Sequence, residues 1–147
     1  MTNQTDVAEI RTVIARVDRA YRAKDPGAVT AEYTPDALLF DLAPPLASRL
    51  EREEIERWLA TWDGPIDRVW QDLEVSVGGD LGVCTGLLQI SATSKQGQRA
   101  DFWIRCTLTL RRDAGRWKIA HEHGSVPFYM DGSYRAAVDL TPDSPAR

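Results

Sequence analysis

From Asp6 to about Lys24, Val7, Ile10, Val13, Ile14, Val17, Ala20 and Tyr21 recur at helical spacing, while Glu9, Arg11, Arg16, Asp18, Arg19 and Arg22 take the other sides. The pattern predicts an amphipathic helix of about five turns. Asp25 then sets a capping side chain before Pro26 at a first helical position, which predicts a second short helix to about Tyr33. Thr34-Pro35-Asp36 breaks that helix, and Ala37 to Leu42 is an apolar run compatible with a strand. Pro44 and Pro45 lack amide donors, so residues 43–48 read as a loop. Glu51 to Trp62 reads as a third helix, with Ile55, Trp58, Leu59 and Trp62 on one stripe and acidic residues in the first turn.

The period then changes. Ile66 to Val77, Gly82 to Thr93, Gln98 to Arg111 and Arg116 to Val126 read as four strands, joined by turns at Gly78-Gly79-Asp80, Lys95-Gln96-Gly97 and Asp113-Ala114-Gly115. Helices first and consecutive hairpins later predict an α+β domain in which the helices cover one face of a mostly antiparallel sheet. The expected domain covers residues 1–130, with a C-terminal tail over 131–147 that is loose at its end.

The chain has 147 residues, 43% hydrophobic and 27% charged, enough for one domain with a proper core. A formal net charge of −4 speaks against a nucleic-acid partner, which needs clustered Lys and Arg. The apolar runs are short and the first residues lack a basic start and an apolar stretch, so neither a membrane span nor a signal peptide is expected, and the expected location is cytoplasmic. Cys84 and Cys106 lie inside apolar strand patterns and read as buried free thiols.

Candidate chemistry concentrates in the last two strands. Phe102, Ile104, Cys106, Leu108 and Leu110 form one face of the first, while Asp101, Trp103, Arg105, Thr107 and Thr109 form the other. If the second face lines a pocket, Arg105 could bind a carboxylate or enolate with Trp103 stacking a ring; if it faces solvent or a second subunit, Arg105 is an ion-pair partner. The pocket is the favoured reading, because a Trp-Arg pair suits a plain solvated face poorly. His121 and His123 share strand parity with Trp117, Ile119 and Ser125 and could act as acid or base, or be satisfied structural histidines. Two histidines and a distant carboxylate are the minimum of a metal site, and no metal is expected. Tyr21 on the long helix and Trp62 on the third read either as pocket lining or as ordinary core. No nucleophile elbow, phosphate-cradling loop or dinucleotide fingerprint is present.

This order of elements resembles the nuclear transport factor 2-like superfamily, a cone of curved sheet and three helices that includes ketosteroid isomerases, SnoaL-like polyketide cyclases, epoxide hydrolases and scytalone dehydratase. The stretch from Asp41-Leu42-Ala43-Pro44-Pro45-Leu46 through Trp62-Asp63-Gly64-Pro65 and the Trp103/Arg105/Thr107 strand to His121-Glu122-His123-Gly124-Ser125-Val126-Pro127 is similar to SnoaL-like ketosteroid isomerase homologues. The resemblance implies the cone fold, a homodimer joined through the outer sheet face, a small hydrophobic ligand and no cofactor. Counted from Tyr33, Asp41 falls where ketosteroid isomerases keep their catalytic carboxylate, whereas Val17 and Thr107 stand where those enzymes carry oxyanion donors. The functional expectation is a cofactor-independent isomerase, cyclase or lyase that moves a proton on a small hydrophobic carbonyl or polyketide-like compound. Asp41 is the expected base, His121 or His123 the acid or relay, and Arg105, Trp103, Thr107, Tyr21 and Trp62 the substrate contacts. The alternatives are a non-catalytic small-molecule binding or dimeric assembly module and, more remotely, an epoxide-opening hydrolase.

Overall fold

The computed structural model describes residues 2–145. Helix α1 (Thr2–Ala23) is followed by α2 (Pro26–Ala31), strand β1 (Tyr33–Phe40), a short β2 (Ser48–Arg49), helix α3 (Arg52–Leu59) and strands β3 (Trp62–Gly78), β4 (Leu81–Ser94), β5 (Arg99–Asp113) and β6 (Arg116–Ser125). The strands make one sheet in the order β2-β1-β6-β5-β4-β3. Every neighbouring pair is antiparallel except β1 with β6, which run parallel. The expected α+β cone, a curved open sheet with the helices against its inner face, is the observed fold.

Local chemistry explains most boundaries. Asp25 accepts the Ala28 amide at 3.0 Å and Pro26 opens α2, a cap worth about 1 kcal/mol. Helix α3 is shorter than its stripe suggests, because Trp62 already pairs with Ser94 as the first residue of β3. Gly64, at φ +75°, and Pro65 fall within the register shift between Asp63 and Asp67. Strand β1 begins at Tyr33 rather than Ala37, and Ser48, the last residue of the expected loop, forms β2 with Arg49 against Leu39 and Leu38.

Helix α1 lies along β3 and is tied to it by side chains: Arg11 Nη2 donates to the Leu73 carbonyl at 3.0 Å, Arg22 pairs with Asp67, and Asp18 accepts from Arg68 and Trp70. Its apolar stripe of Ile10, Val13, Ile14, Val17 and Tyr21 meets Cys84, Leu88, Ile104, Leu108, Leu110, Trp117 and Ile119 in a continuous core. The segment after Asp131 folds back on the end of the sheet: Phe128 bridges Ala136, and Ala137 donates to the Pro127 carbonyl at 2.9 Å and is itself buried. The last two residues of the expected loose tail lie outside the described residues.

Two irregularities decide which side chains enter the cone. In β6, Ile119 pairs with Leu110 and His121 with Thr109, so Ala120 is an extra residue with no partner on β5. Such a bulge breaks the alternation and moves every later side chain to the opposite face. In β3 the register slips between Gln71 and Glu74 around Asp72, which sits at φ +56°.

Candidate functional site

Because Ala120 inverts the parity of β6, Glu122 rather than either histidine points into the cone, opposite Leu108 and beside Cys106. Strand β3 supplies Arg68 and Trp70 to the same face as buried Ile66. Asp18 comes from α1, one turn after Ile14 and at the edge of the apolar stripe, and Tyr33 from the start of β1. These groups form one network. Arg68 Nε donates to Asp18 Oδ1 at 3.0 Å, Trp70 Nε1 donates to Asp18 Oδ2 at 3.1 Å, and Tyr33 Oη donates to Glu122 Oε2 at 2.7 Å. Arg68 Nη2 lies 3.7 Å from Glu122 Oε1, and the Cys106 thiol approaches the same oxygen at 3.8 Å. The guanidinium also stacks over the Tyr21 ring, 4.6 Å from its centroid.

The site therefore holds one guanidinium between two carboxyl groups, a formal excess of one negative charge inside the cone. The Arg68 side chain is 8% exposed, whereas the carboxyl-bearing side chains keep 21% for Asp18 and 19% for Glu122. The cation is sealed and the two acids retain access to solvent. Burial raises the Asp18 carboxyl above the ordinary range, against the opposing pull of Arg68 and Trp70. Burial and the charge of Glu122 raise Tyr33 and Tyr21 well above the usual phenol value, with a further contribution to Tyr21 from Asp41. Burial works against the charge on Arg68, yet Glu122, the two tyrosines and Asp18 together push its pKa up, so it stays a cation. The Cys106 thiol is raised by burial and by Glu122, which keeps it an inert neutral group.

The expected site residues divide into three sets. Tyr21 joins the cluster through Arg68 and continues as an aromatic wall, edge-on to Trp58 at 6.0 Å, which is edge-on to Trp62 at 5.9 Å. The buried indole nitrogen of Trp62 has no hydrogen-bond partner among the described residues. Asp41 lies just beyond β1, exposed, and its carboxylate accepts the amide of Leu42 at 2.8 Å. Trp103, Arg105, Thr107, His121 and His123 sit on the outward face, correcting the favoured expectation that this face lines the cone. Thr107 pairs with His123, Thr109 with His121 and Arg105 with Ser125, while the alternate residues Ile104, Cys106 and Leu108 are the buried ones. His121 Nδ1 donates to the Leu38 carbonyl at 2.8 Å, and both imidazoles pack edge-on against Phe40. Arg105 Nε donates to Ser125 Oγ at 3.2 Å, beside a shallow depression of about 350 Å³ that Asp72, Glu74, Thr85, Leu87 and Thr107 also line.

Cys84 and Cys106 are free and buried, on the inner faces of neighbouring strands. Among the described residues no three His, Cys, Asp or Glu side chains gather as a metal set, and no helix is long and apolar enough to cross a membrane.

A family model described as a SnoaL-like domain matches residues 10–129, which takes in α1 from Ile10 onward, the whole sheet and the cluster. The chain belongs to the SnoaL-like domain family. No curated protein matches it. Among solved structures, this SnoaL-like chain is similar to an NTF2-like protein of unknown function from Pseudomonas putida KT2440, with 28% identity, a TM-score of 0.83, and 95% of this chain and 98% of that one covered. A dehydratase candidate of the NTF2-like family from Streptomyces avermitilis shares the fold at 18% identity and a TM-score of 0.74, covering 84% of this chain and 97% of its own. So does a ketosteroid isomerase-like protein from Erwinia carotovora atroseptica, at 21% identity and a TM-score of 0.67, covering 82% and 95%.

Sequence reasoning missed Asp18, Tyr33, Arg68, Trp70 and Glu122. Arg68 left a signal, a charge alternating between Ile66 and Trp70 on a face that is otherwise apolar. Glu122 left none, because its direction depends on the bulge at Ala120.

Proposed function

We propose that this SnoaL-like protein is a cofactor-independent enzyme that moves a proton on a small hydrophobic carbonyl compound, an isomerase, cyclase or lyase by reaction class. The observation that carries the reading is Arg68 sealed between two partly accessible carboxyl groups inside the cone. An enclosed ion pair between two acids is a poor way to stabilise a fold, since desolvation offsets most of the Coulomb attraction. As a site it has the needed parts. Asp18, which burial makes a stronger base than an ordinary carboxylate, accepts a proton from carbon, and the positive charge of Arg68 behind it offsets the negative charge that develops on the enolate. Glu122 holds Arg68 and Tyr33 in place, and the Tyr21-Trp58-Trp62 wall contacts the apolar part of the substrate. Asp41, at the position the family resemblance favours, is the competing base.

A second reading, an inert binding module, is favoured by the fact that both oxygens of Asp18 and of Glu122 already have partners within the protein. One experiment separates the two. The protein is incubated in D₂O with a panel of hydrophobic ketones and 1,3-dicarbonyls; exchange at the acidic carbon is followed by proton NMR, and binding by tryptophan fluorescence. The enzyme reading predicts at least one compound exchanged well above the buffer rate. Binding without exchange across the panel would establish the inert module instead.

A further inference from the structure

Asp18 is gripped by one strand. Arg68 and Trp70, two residues apart on the inner face of β3, give its two oxygens one donor each, the guanidinium Nε on Oδ1 at 3.0 Å and the indole Nε1 on Oδ2 at 3.1 Å. A carboxylate on a helix flank has rotational freedom; two donors at fixed spacing on a pleated strand remove it. The indole reaches this position because of its neighbour on β4. Gly86 lies on the inner face next to Leu88, the partner of Trp70, and a Cβ there would stand 2.9 Å from Trp70 Cε3 and 3.3 Å from Cζ3. The ring thus lies directly on glycine backbone, and any side chain at residue 86 would have to displace it. Just beyond, the left-handed Asp72 and its register slip end the regular run that places Arg68 and Trp70 on one face.

We propose that Trp70 is a positioning residue for Asp18, acting through its indole N–H on Oδ2, and that Gly86 is the seat that sets the ring. This rests on the reading of Asp18 as the base. Trp70 acts on the orientation and basicity of Asp18 and does not itself touch substrate. The titratable groups that interact with Asp18 are Arg68 of β3, Glu122 of β6 and Cys106 of β5, with Tyr21 of α1 and Tyr33 of β1 joined to the same network through Arg68 and Glu122, and none of them is altered by the test.

The test is a carbon-13 NMR titration of the Asp18 carboxyl in the intact protein, its signal assigned by its loss in Asp18→Asn, with the Trp70 indole N–H resonance followed in parallel. In the wild type the indole resonance should move with the Asp18 titration. Trp70→Phe keeps a ring on Gly86 and removes the donor, so the Asp18 midpoint should rise by about 1–2 pH units, the equivalent of one hydrogen bond to a charged group. Gly86→Ala should raise it in the same direction by displacing the indole. An unchanged midpoint in Trp70→Phe overturns the role of Trp70, and an unchanged midpoint in Gly86→Ala with the indole resonance unmoved overturns the seat. These readouts need no substrate, so they stand apart from the proposed activity. Where a compound is exchanged, the acid limb of its rate profile should move to higher pH with the midpoint in Trp70→Phe, and a rate lost with no movement of that limb would count against positioning.

Discussion

Arg68 is the residue on which the interior depends. Its side chain is almost fully enclosed, touches Asp18 and Glu122 and stacks on Tyr21. Removing the cation leaves two carboxyl groups facing each other in a poorly solvated space, so Arg68→Leu should lower unfolding free energy by about 3–5 kcal/mol, the usual cost of breaking a buried charge pair from one side. Urea denaturation at neutral pH measures this, and a loss under about 1 kcal/mol would mean the network is far better solvated than its burial indicates. At this scale the sequence was partly legible. The apolar positions of α1 and the burial of the two cysteines follow from periodicity, and Tyr21 reads from its place on the stripe as a residue that could line a pocket. Asp18 was hidden because helical spacing places it at the margin of the stripe, where an aspartate reads as solvated until the partner strand is known.

At the scale of elements, α1, α3 and the four long strands are legible in the hydrophobic pattern, and α2 in its Asp25-Pro26 cap. The elements that were less legible are those where the period breaks. Strand β1 begins inside what reads as the end of a helix, and β2 is two residues long. Strand β6 carries the consequential break. Before Ala120 its odd-numbered residues Trp117 and Ile119 face the core; after it Glu122 faces inward and His121 and His123 face out. A period-2 reading carried through the bulge puts the histidines in the pocket and the glutamate on the surface, the reverse of the structure. One unpaired residue thus exchanges the reactive groups of the two faces, and no local signal in Ile119-Ala120-His121 announces it.

Over the whole molecule, the cone has two chemically distinct sides: an inner one with the charged cluster and aromatic wall, and an outer sheet face carrying Val69, Val83, Trp103, Arg105, Phe40 and the two histidines. Val69 and Val83 are 55% and 43% exposed there, at separate places on the curved sheet, Val69 across from Gln89 and Val83 between Ser76 and Thr109. We propose that a second copy of the chain covers this face, with the His121/His123/Phe40 group at or near the contact. Sedimentation equilibrium should then give a dimer mass, and Val69→Glu with Val83→Glu should give a monomer; a monomeric wild type at high micromolar concentration would contradict it.

The proposed proton chemistry belongs to the inner side of the cone. The most direct measurement is the deuterium-exchange rate of the best panel compound in Asp18→Asn, in Asp41→Asn and in His121→Asn/His123→Asn, each shown to be folded. The account predicts a fall of about 100-fold or more for Asp18→Asn, the scale of a lost general base, and changes of less than a few-fold for the other two. Full activity in Asp18→Asn, with loss in Asp41→Asn or the histidine pair, would contradict it and return the chemistry to the rim or to the outer face.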